Sequence, residues 1–291
     1  MSVFVSSHAL PGRTVPDVVA LAASAGVRHI ELTAGLTRAD TMLDEILSAR
    51  AEGVEFLTHN YFPPPPQSFV LNVASDDADT KKASMSMARE AMSIAAAVGA
   101  PFHSMHAGFA VSLTPDMLGK PEMQAAAFAE AKFDRAKAYR RMVETAVLLA
   151  DEAKDLGIDL LFENNVVTAG FMNRVGRDPL LMTSPDEAMQ FVRDVARTNV
   201  GLLVDVGHAN VSAAALGFDR RRFLDDAAPF VRALHLSGND GTRDSNKPFG
   251  PDDWFADQLK DFCSVPIVVE VYGLDVDGLR RQVEIVQSLT Q

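Results

Sequence analysis

The sequence predicts an α/β protein built as a single-domain (β/α)8 barrel, the TIM barrel class, across all 291 residues. The first observation is that eight short apolar runs alternate with eight longer segments of helical apolar spacing, which is typical of parallel strands joined by helical crossovers. The second is the length, which suits one barrel, with no stretch that resembles an interdomain linker. The third is that no glycine-rich turn follows the first run, which disfavours the main competitor, an open dinucleotide-binding sheet.

The predicted strands are runs of four or five residues rich in apolar and β-branched side chains, which favour extended backbone. Several of them close on a polar residue, as expected where a barrel strand reaches its rim. In chain order the predicted strands are Val3–Ser7, His29–Thr33, Glu55–His59, Phe102–His106, Asp159–Glu163, Gly201–Asp205, Ala233–Leu236 and Ile267–Val271.

The predicted helices repeat apolar residues every three or four positions. Their ends carry boundary signals, because Ser184 precedes Pro185 at the start of one helix, and Gly53, Gly99 and Gly157 follow the ends of three others. In chain order the predicted helices are Asp17–Ala25, Thr41–Ala51, Asp79–Val98, Ala131–Leu156, Pro185–Ala196, Arg221–Ala228, Asp253–Phe262 and Val276–Leu289.

The charge balance narrows the class of partner. The chain has 27 Lys and Arg residues against 39 Asp and Glu residues, a formal net charge of -12. Such a charge repels phosphate backbones and anionic lipids, so the sequence predicts neither a nucleic-acid nor a membrane partner. The N-terminal residues lack a signal-peptide pattern, no apolar run approaches about 18 residues, and the single Cys excludes an internal disulfide. We therefore expect a cytoplasmic protein.

Four consecutive predicted strands, the fifth to the eighth, each deliver a potential metal ligand near their carboxyl ends: Glu163, Asp205, His235 and Glu270. In a barrel these ends converge on one face. Carboxylates gathered there repel one another unless a cation lies between them. Any one of these residues alone is equally well explained as a helix cap or an ion-pair partner. All four at equivalent strand positions favour one divalent metal ion, and their oxygen and imidazole donors suit Mn, Co, Mg or Zn.

The first half of the predicted barrel adds three histidines at or just beyond strand ends, His8, His59 and His106. Each is a candidate substrate donor or a ligand of a second metal. Taken singly, a histidine at a barrel rim is more often a structural polar residue, so the sequence leaves their roles open.

Short motifs at these strand ends have the order and spacing of a known superfamily. They are Phe162-Glu163-Asn164, Asp205-Val206-Gly207-His208, His235-Leu236 and Val269-Glu270, with residues 58–61 and 69–75. This pattern resembles the xylose isomerase-like TIM barrel superfamily, which joins sugar and sugar-phosphate isomerases and epimerases to the apurinic endonucleases of family 2. The resemblance spans essentially the full chain.

The resemblance implies a catalytic divalent metal at four positions of this chain, Glu163, Asp205, His235 and Glu270. It also implies that His208 contacts substrate or a further metal, and that His59 and His106 are metal or substrate residues. One departure matters: where the endonucleases have Asp-x-His after the seventh strand, this chain reads Asp244-Ser245-Asn246. Asn lacks the imidazole that a third metal site requires. The acidic net charge is also unsuited to binding DNA. Sugar isomerisation or epimerisation is therefore favoured over DNA repair.

The expected reaction is proton transfer beside a sugar carbonyl through an enediolate, with the cation as Lewis acid. Glu163 and Glu270 would remove and return the proton, on one carbon for an epimerase or across two for an isomerase. His208 and Arg243 would steer hydroxyl or oxyanion groups, with His8, His59 and His106 as further substrate contacts.

Two other functions remain open from sequence. The first is metal-dependent hydrolysis of a phosphodiester, as in the apurinic endonucleases, which would need two or three bound metals. The second is a barrel that binds a sugar without converting it, which would need no metal. The expected partner is a small sugar or sugar phosphate, and homo-oligomer formation is left open.

Overall fold

The computed structural model describes residues 2–117 and 121–291. Its centre is a closed barrel of eight parallel strands in sequential order, which confirms the predicted fold class. Every predicted strand is present, with its ends within two residues of the predicted ones. The strands are β1 (Val3–Ser6), β2 (His29–Leu32), β3 (Glu55–Thr58), β4 (Phe102–His106), β5 (Asp159–Glu163), β6 (Val200–Asp205), β7 (Val231–Leu236) and β8 (Ile267–Val269).

Helices surround the barrel. In the described residues, an α-helix follows every strand except β7, which is followed by the 3-10 helix Ala256–Phe262 before β8 begins. The α-helices of the described residues are α1 (Val15–Ser24), α2 (Met42–Ala51), α3 (Ala78–Ala97), α4 (Pro121–Glu130), α5 (Arg135–Asp155), α6 (Ala169–Val175), α7 (Pro185–Val195), α8 (Val206–Leu216), α9 (Arg220–Ala227) and α10 (Val276–Leu289).

The helix predictions needed three corrections. The helix predicted over Ala131–Leu156 begins at Arg135, because Asp134 caps it by accepting a hydrogen bond from the Lys137 N–H at 2.9 Å. The segment predicted as the α-helix Asp253–Phe262 is the 3-10 helix Ala256–Phe262. The helices α4, α6 and α8 were not predicted.

The reason for missing α8 is its burial. Val206 to Ala213 are buried without a break, so the helix has no polar face and shows no amphipathic period. Its sequence also contains Gly207, Asn210 and Ser212, which are weak helix formers.

The direction of the functional side chains follows from strand geometry. Phe162 on β5 packs edge-on against Phe191 of α7, with ring centroids 4.7 Å apart, so Phe162 faces the helical layer. Because successive side chains of a strand point to opposite faces, Glu163 points into the barrel. Register then aligns the strand ends: Glu163 pairs with His106 of β4, and Asp205 of β6 pairs with His235 of β7.

Among residues 2–117 and 121–291, no helix combines the length and apolar character that crossing a membrane requires.

Candidate metal centre

The four side chains predicted as metal ligands meet at the carboxyl end of the barrel. Glu163, Asp205, His235 and Glu270 are all buried, and one potential ligand atom from each lies within 4.8 Å of the others. His235 Nδ1 lies 3.1 Å from Glu270 Oε2, 3.5 Å from Glu163 Oε1 and 4.0 Å from Asp205 Oδ2. Three carboxylates thus surround one imidazole nitrogen.

Unsatisfied oxygens show that this cluster suits a cation. Both carboxylate oxygens of Glu163 and Oδ2 of Asp205 are buried and have no hydrogen-bond donor. Burying such oxygens without a partner costs free energy, and native proteins rarely do so. The donor set of carboxylates and one imidazole matches Mn, Co, Mg or Zn, as the sequence suggested. The residues therefore fit a divalent metal.

The three carboxylates of the centre have different pKa values, although they share one buried environment. Burial raises the pKa of Asp205 to about 7. Burial alone would also raise the pKa of Glu163, but the imidazoles of His106, His59 and His235 outweigh it and hold that pKa well below its usual value. Glu270 behaves like Glu163, because His235 outweighs burial and lowers its pKa to about 2. Pairs of acids separated in this way are typical of catalytic sites.

Asp205 has a structural as well as a candidate ligand role. Its Oδ1 accepts a hydrogen bond from the His208 N–H at 2.7 Å and so caps the N-terminus of α8. Its backbone is held by Asn164, whose Oδ1 accepts from the Asp205 N–H at 2.9 Å and whose Nδ2 donates to the Asp205 carbonyl at 3.1 Å. With Oδ1 occupied by the cap, Oδ2 is the oxygen left for the cluster.

His59 and His106 lie beside the cluster and share Glu163 with it. His59 Nε2 is 3.2 Å and His106 Nδ1 is 3.3 Å from Glu163 Oε2. These three residues form a second group whose potential ligand atoms lie within 4.8 Å of one another. His59 is oriented by a 2.9 Å contact between its Nδ1 and Ser104 Oγ, whereas His106 is partly exposed.

His208 lies at the edge of the cluster with its orientation fixed. Its Nδ1 donates to the Asn164 carbonyl at 2.8 Å, and its Nε2 lies 3.3 Å from Asp244 Oδ2. Burial would lower the pKa of His208, but Asp205 and Asp244 outweigh it and raise that pKa well above its usual value.

Asn246, the residue in place of the endonuclease histidine, is hydrogen-bonded to the backbone at the end of β8. It adopts a left-handed backbone conformation, with φ of 42°, and its Nδ2 donates to the Glu270 carbonyl at 3.1 Å. The Asn246 carbonyl in turn accepts from the Tyr272 N–H at 2.9 Å. Asn246 thus ties the loop after β7 to the end of β8.

Two predicted substrate residues, His8 and Arg243, are exposed and make no contact with the cluster in the described part of the chain. His8 follows β1, donates from Nδ1 to the Ala34 carbonyl at 3.1 Å and packs edge-on against Tyr272 with ring centroids 4.8 Å apart. The Tyr272 hydroxyl donates to Glu270 Oε1 at 3.0 Å, so His8 is linked to the cluster through one residue. Arg243 precedes Asp244 in the loop after β7.

A sequence model of the xylose isomerase-like TIM barrel family matches residues 19–288 of this chain. The chain belongs to that family. This membership confirms the resemblance seen in the strand-end motifs.

One relative of this chain is the D-psicose 3-epimerase of Agrobacterium fabrum (strain C58), which is 36% identical to it over 84 residues. The aligned segment is 29% of this chain and spans 26%, about a quarter, of the length of the epimerase.

Solved structures of other barrels have the same fold. A D-tagatose 3-epimerase-like protein superposes with a TM-score of 0.72 at 17% identity, covering 99% of this chain and 97% of that one. The D-psicose 3-epimerase of Clostridium cellulolyticum H10 gives 0.71 at 14% identity, covering 100% and 98%. The 3-keto-D-glucoside 4-epimerase of E. coli gives 0.71 at 10% identity, covering 99% of each chain.

Three residues at this centre were not among the site residues predicted from the sequence: Glu31, Asp244 and Tyr272. The sequence held one usable signal, since Glu31 is an acid enclosed by Ile30 and Leu32 inside a predicted strand. An acid at such a position is fully buried in the barrel and needs a partner there. Asp244 and Tyr272 lie in or beside loops, where spacing gives no direction to a side chain.

Proposed function

We propose that this chain is a metal-dependent sugar epimerase or isomerase that moves a proton beside a ketose carbonyl. The observation that carries the proposal is the convergence of Glu163, Asp205, His235 and Glu270, with unpartnered carboxylate oxygens turned toward a common centre. The similarity to D-psicose 3-epimerases supports the same reaction class. A bound divalent cation supplies Lewis-acid stabilisation of the negative charge that develops on the carbonyl oxygen.

Glu163 and Glu270 are the proposed acid and base. They reach the centre from β5 and from the end of β8, so they approach a bound sugar from different directions. One carboxylate takes the proton from the carbon beside the carbonyl, which leaves an enediolate. Return of a proton to the same carbon from the opposite face gives the epimer, and return to the neighbouring carbon gives the isomer.

The remaining residues of the centre hold these groups in place. Asp205 and His235 would serve chiefly as metal ligands. His208 presents Nε2 to the mouth beside Asp244, where it would donate to a sugar hydroxyl. His59 and His106 would contact the sugar from the opposite side of Glu163.

We propose a free ketose, epimerised at C3, as the substrate. Five acidic side chains lie at or beside the centre: Glu31, Glu163, Asp205, Asp244 and Glu270. A phosphate dianion would be repelled by this group unless a cationic side chain received it.

The test is a panel of free and phosphorylated ketoses incubated with the Mn²⁺-loaded protein in deuterated water. We expect deuterium at the epimerised carbon of a free ketose. The Glu270→Gln variant should lose about 100-fold or more in turnover, since a positioned acid–base group contributes about 10²- to 10⁴-fold. Glu284→Gln, an exposed acid on α10, is the matched control and should behave as wild type. Normal turnover in Glu270→Gln with metal still bound would overturn the acid–base assignment.

A second candidate function is two-metal hydrolysis of a phosphodiester, and the specific observation in its favour is the group formed by His59, His106 and Glu163. Metal stoichiometry separates the two functions. One equivalent of Mn²⁺ or Zn²⁺ per chain with ketose turnover supports the epimerase, whereas two equivalents with cleavage of a model phosphodiester support the hydrolase. Sugar binding without bound metal and without turnover of either substrate would favour the non-catalytic sugar-binding barrel.

A further inference from the structure

A buried acid behind the metal centre, Glu31, has no part in the reaction described above. It lies in β2 and is fully buried. Its oxygens Oε1 and Oε2 are 3.1 Å and 3.0 Å from Nε2 of His235, which is fully buried as well. The two residues thus make a carboxylate–imidazole pair on the side of His235 that faces away from the other three carboxylates.

This pair determines which nitrogen of His235 carries a proton. An ionised carboxylate only accepts hydrogen bonds, so Nε2 must be the donor. A neutral imidazole has a single N–H, and its other nitrogen, Nδ1, then presents a lone pair. Nδ1 is the atom that faces Glu270 Oε2 at 3.1 Å and Glu163 Oε1 at 3.5 Å. The lone pair is therefore directed at the centre of the cluster.

The barrel holds Glu31 rigidly enough to impose this orientation. Its flanking residues Ile30 and Leu32 are fully buried in the opposite layer, and its own strand pairs on both sides, with Ser6 of β1 and Leu57 of β3 as register partners. The His59 ring also packs edge-on against His235, with centroids 4.9 Å apart.

We propose that Glu31 is a positioning residue that holds His235 in the Nε2–H form with Nδ1 presented to the metal. This inference rests on the proposed metal site, and it assigns to Glu31 a role that a carboxylate behind a metal-binding histidine commonly performs. Glu31 acts through His235 and does not touch the sugar or the cation.

The test is Co²⁺ binding by the full chain, measured by calorimetry and by the visible absorption of the bound ion. Glu31→Gln keeps the shape of the side chain but removes its charge. An amide oxygen accepts more weakly from Nε2–H, and an amide NH2 turned toward Nε2 would place the proton on Nδ1. We expect the dissociation constant to rise about 10- to 100-fold, the usual effect of removing such a partner, and the absorption bands at saturating Co²⁺ to shift.

The matched control is Glu55→Gln on β3, an exposed acid whose Oε2 lies 3.7 Å from Nε2 of a different histidine, His29. It should bind Co²⁺ as wild type does. Glu31→Asp is a second variant, which keeps the charge but withdraws it from Nε2 and should also weaken binding tenfold or more. If Glu31→Gln does not fold, the Co²⁺ dissociation constant of Glu31→Asp tests the role of Glu31 instead.

The outcomes separate the inference from the proposed function. If wild type binds Co²⁺ and the folded Glu31 variant binds it less than tenfold more weakly with unchanged absorption bands, Glu31 does not position His235. If wild type itself binds no Co²⁺, the metal site is wrong and the inference falls with it.

Discussion

At the scale of single residues, carboxylate side chains acquire different pKa values from their neighbours. Glu163 and Asp205 end adjacent strands, yet imidazoles hold the pKa of Glu163 well below its usual value while burial raises that of Asp205 to about 7. The sequence was sufficient to predict that these two acids lie near each other, since both close apolar strands. The sequence was insufficient to predict the partner of Glu31, because that partner, His235, lies 204 positions away along the chain. A contact of that kind depends on the register of the closed barrel.

Tyr272→Phe tests the role of the hydroxyl that holds Glu270. The Tyr272 hydroxyl donates to Glu270 Oε1 at 3.0 Å. A hydrogen bond to a charged group contributes about 1.5 kcal/mol or more, so we expect kcat/KM for the ketose to fall about tenfold. The control is Tyr139→Phe, which removes a hydroxyl that donates to Asp194 Oδ2 at 2.7 Å between α5 and α7. Equal kinetics for the two variants would show that Tyr272 does not assist Glu270.

At the scale of elements, the short strands were easier to predict than the helices around the rim. Strand positions follow from runs of apolar residues between helical segments, and each was found within two residues. The helix α8 was missed because all of its first eight residues are buried. Its start is nevertheless decided by a single side chain, that of Asp205, which joins the cap of α8 to the metal centre.

Gly207→Ala tests how closely α8 must approach β7. A Cβ at Gly207 would lie 2.5 Å from Ser237 Oγ and 3.1 Å from Asn239 Nδ2. Replacing Gly by Ala inside a helix ordinarily stabilises it by about 1 kcal/mol. Here we expect the opposite sign, a loss of about 1–3 kcal/mol in the free energy of unfolding, because the added methyl group overpacks the junction.

The measurement for Gly207→Ala is urea unfolding followed by circular dichroism. Gly250→Ala is the control, because a Cβ there would meet no atom within 4 Å. It should change the free energy of unfolding by less than about 0.5 kcal/mol. A Gly207→Ala protein more stable than wild type would show that the junction between α8 and β7 accommodates the added methyl group without overpacking.

At the scale of the whole molecule, closure of the sheet brings together side chains from both halves of the chain. Alternating strands and helices were enough to predict the barrel, and its topology then placed four strand ends on one face. The positions of side chains in the loops around the mouth of the barrel were harder to predict. His8 and Arg243 lie on exposed segments, whereas Asn246 turns to the Glu270 carbonyl through a left-handed backbone conformation. Loop geometry of that kind is set by tertiary contacts that spacing does not encode.

Stabilisation of the molecule by metal should depend on pH. Burial raises the pKa of Asp205 to about 7. Burial alone would lower the pKa of His235, but the carboxylates of Glu31 and Glu270 outweigh it and raise that pKa well above its usual value. In acid both groups hold protons that they must release to bind a cation. Affinity therefore falls as the pH decreases through about 7.

We expect added Mn²⁺ to raise the melting temperature more at about pH 8 than at about pH 6, because ligand binding to the native state stabilises it in proportion to affinity. Differential scanning fluorimetry measures the effect, with Na⁺ at equal ionic strength as the control. A rise of the same size at both pH values would contradict proton release from these two groups.

Anomalous diffraction from crystals soaked in Mn²⁺ locates the cation directly. The expected result is one strong peak per chain, within bonding distance of Glu163, Asp205, His235 Nδ1 and Glu270. An ordered centre without such a peak, or a Mn²⁺ bound only elsewhere on the molecule, would contradict the assignment of these strand ends as a metal site.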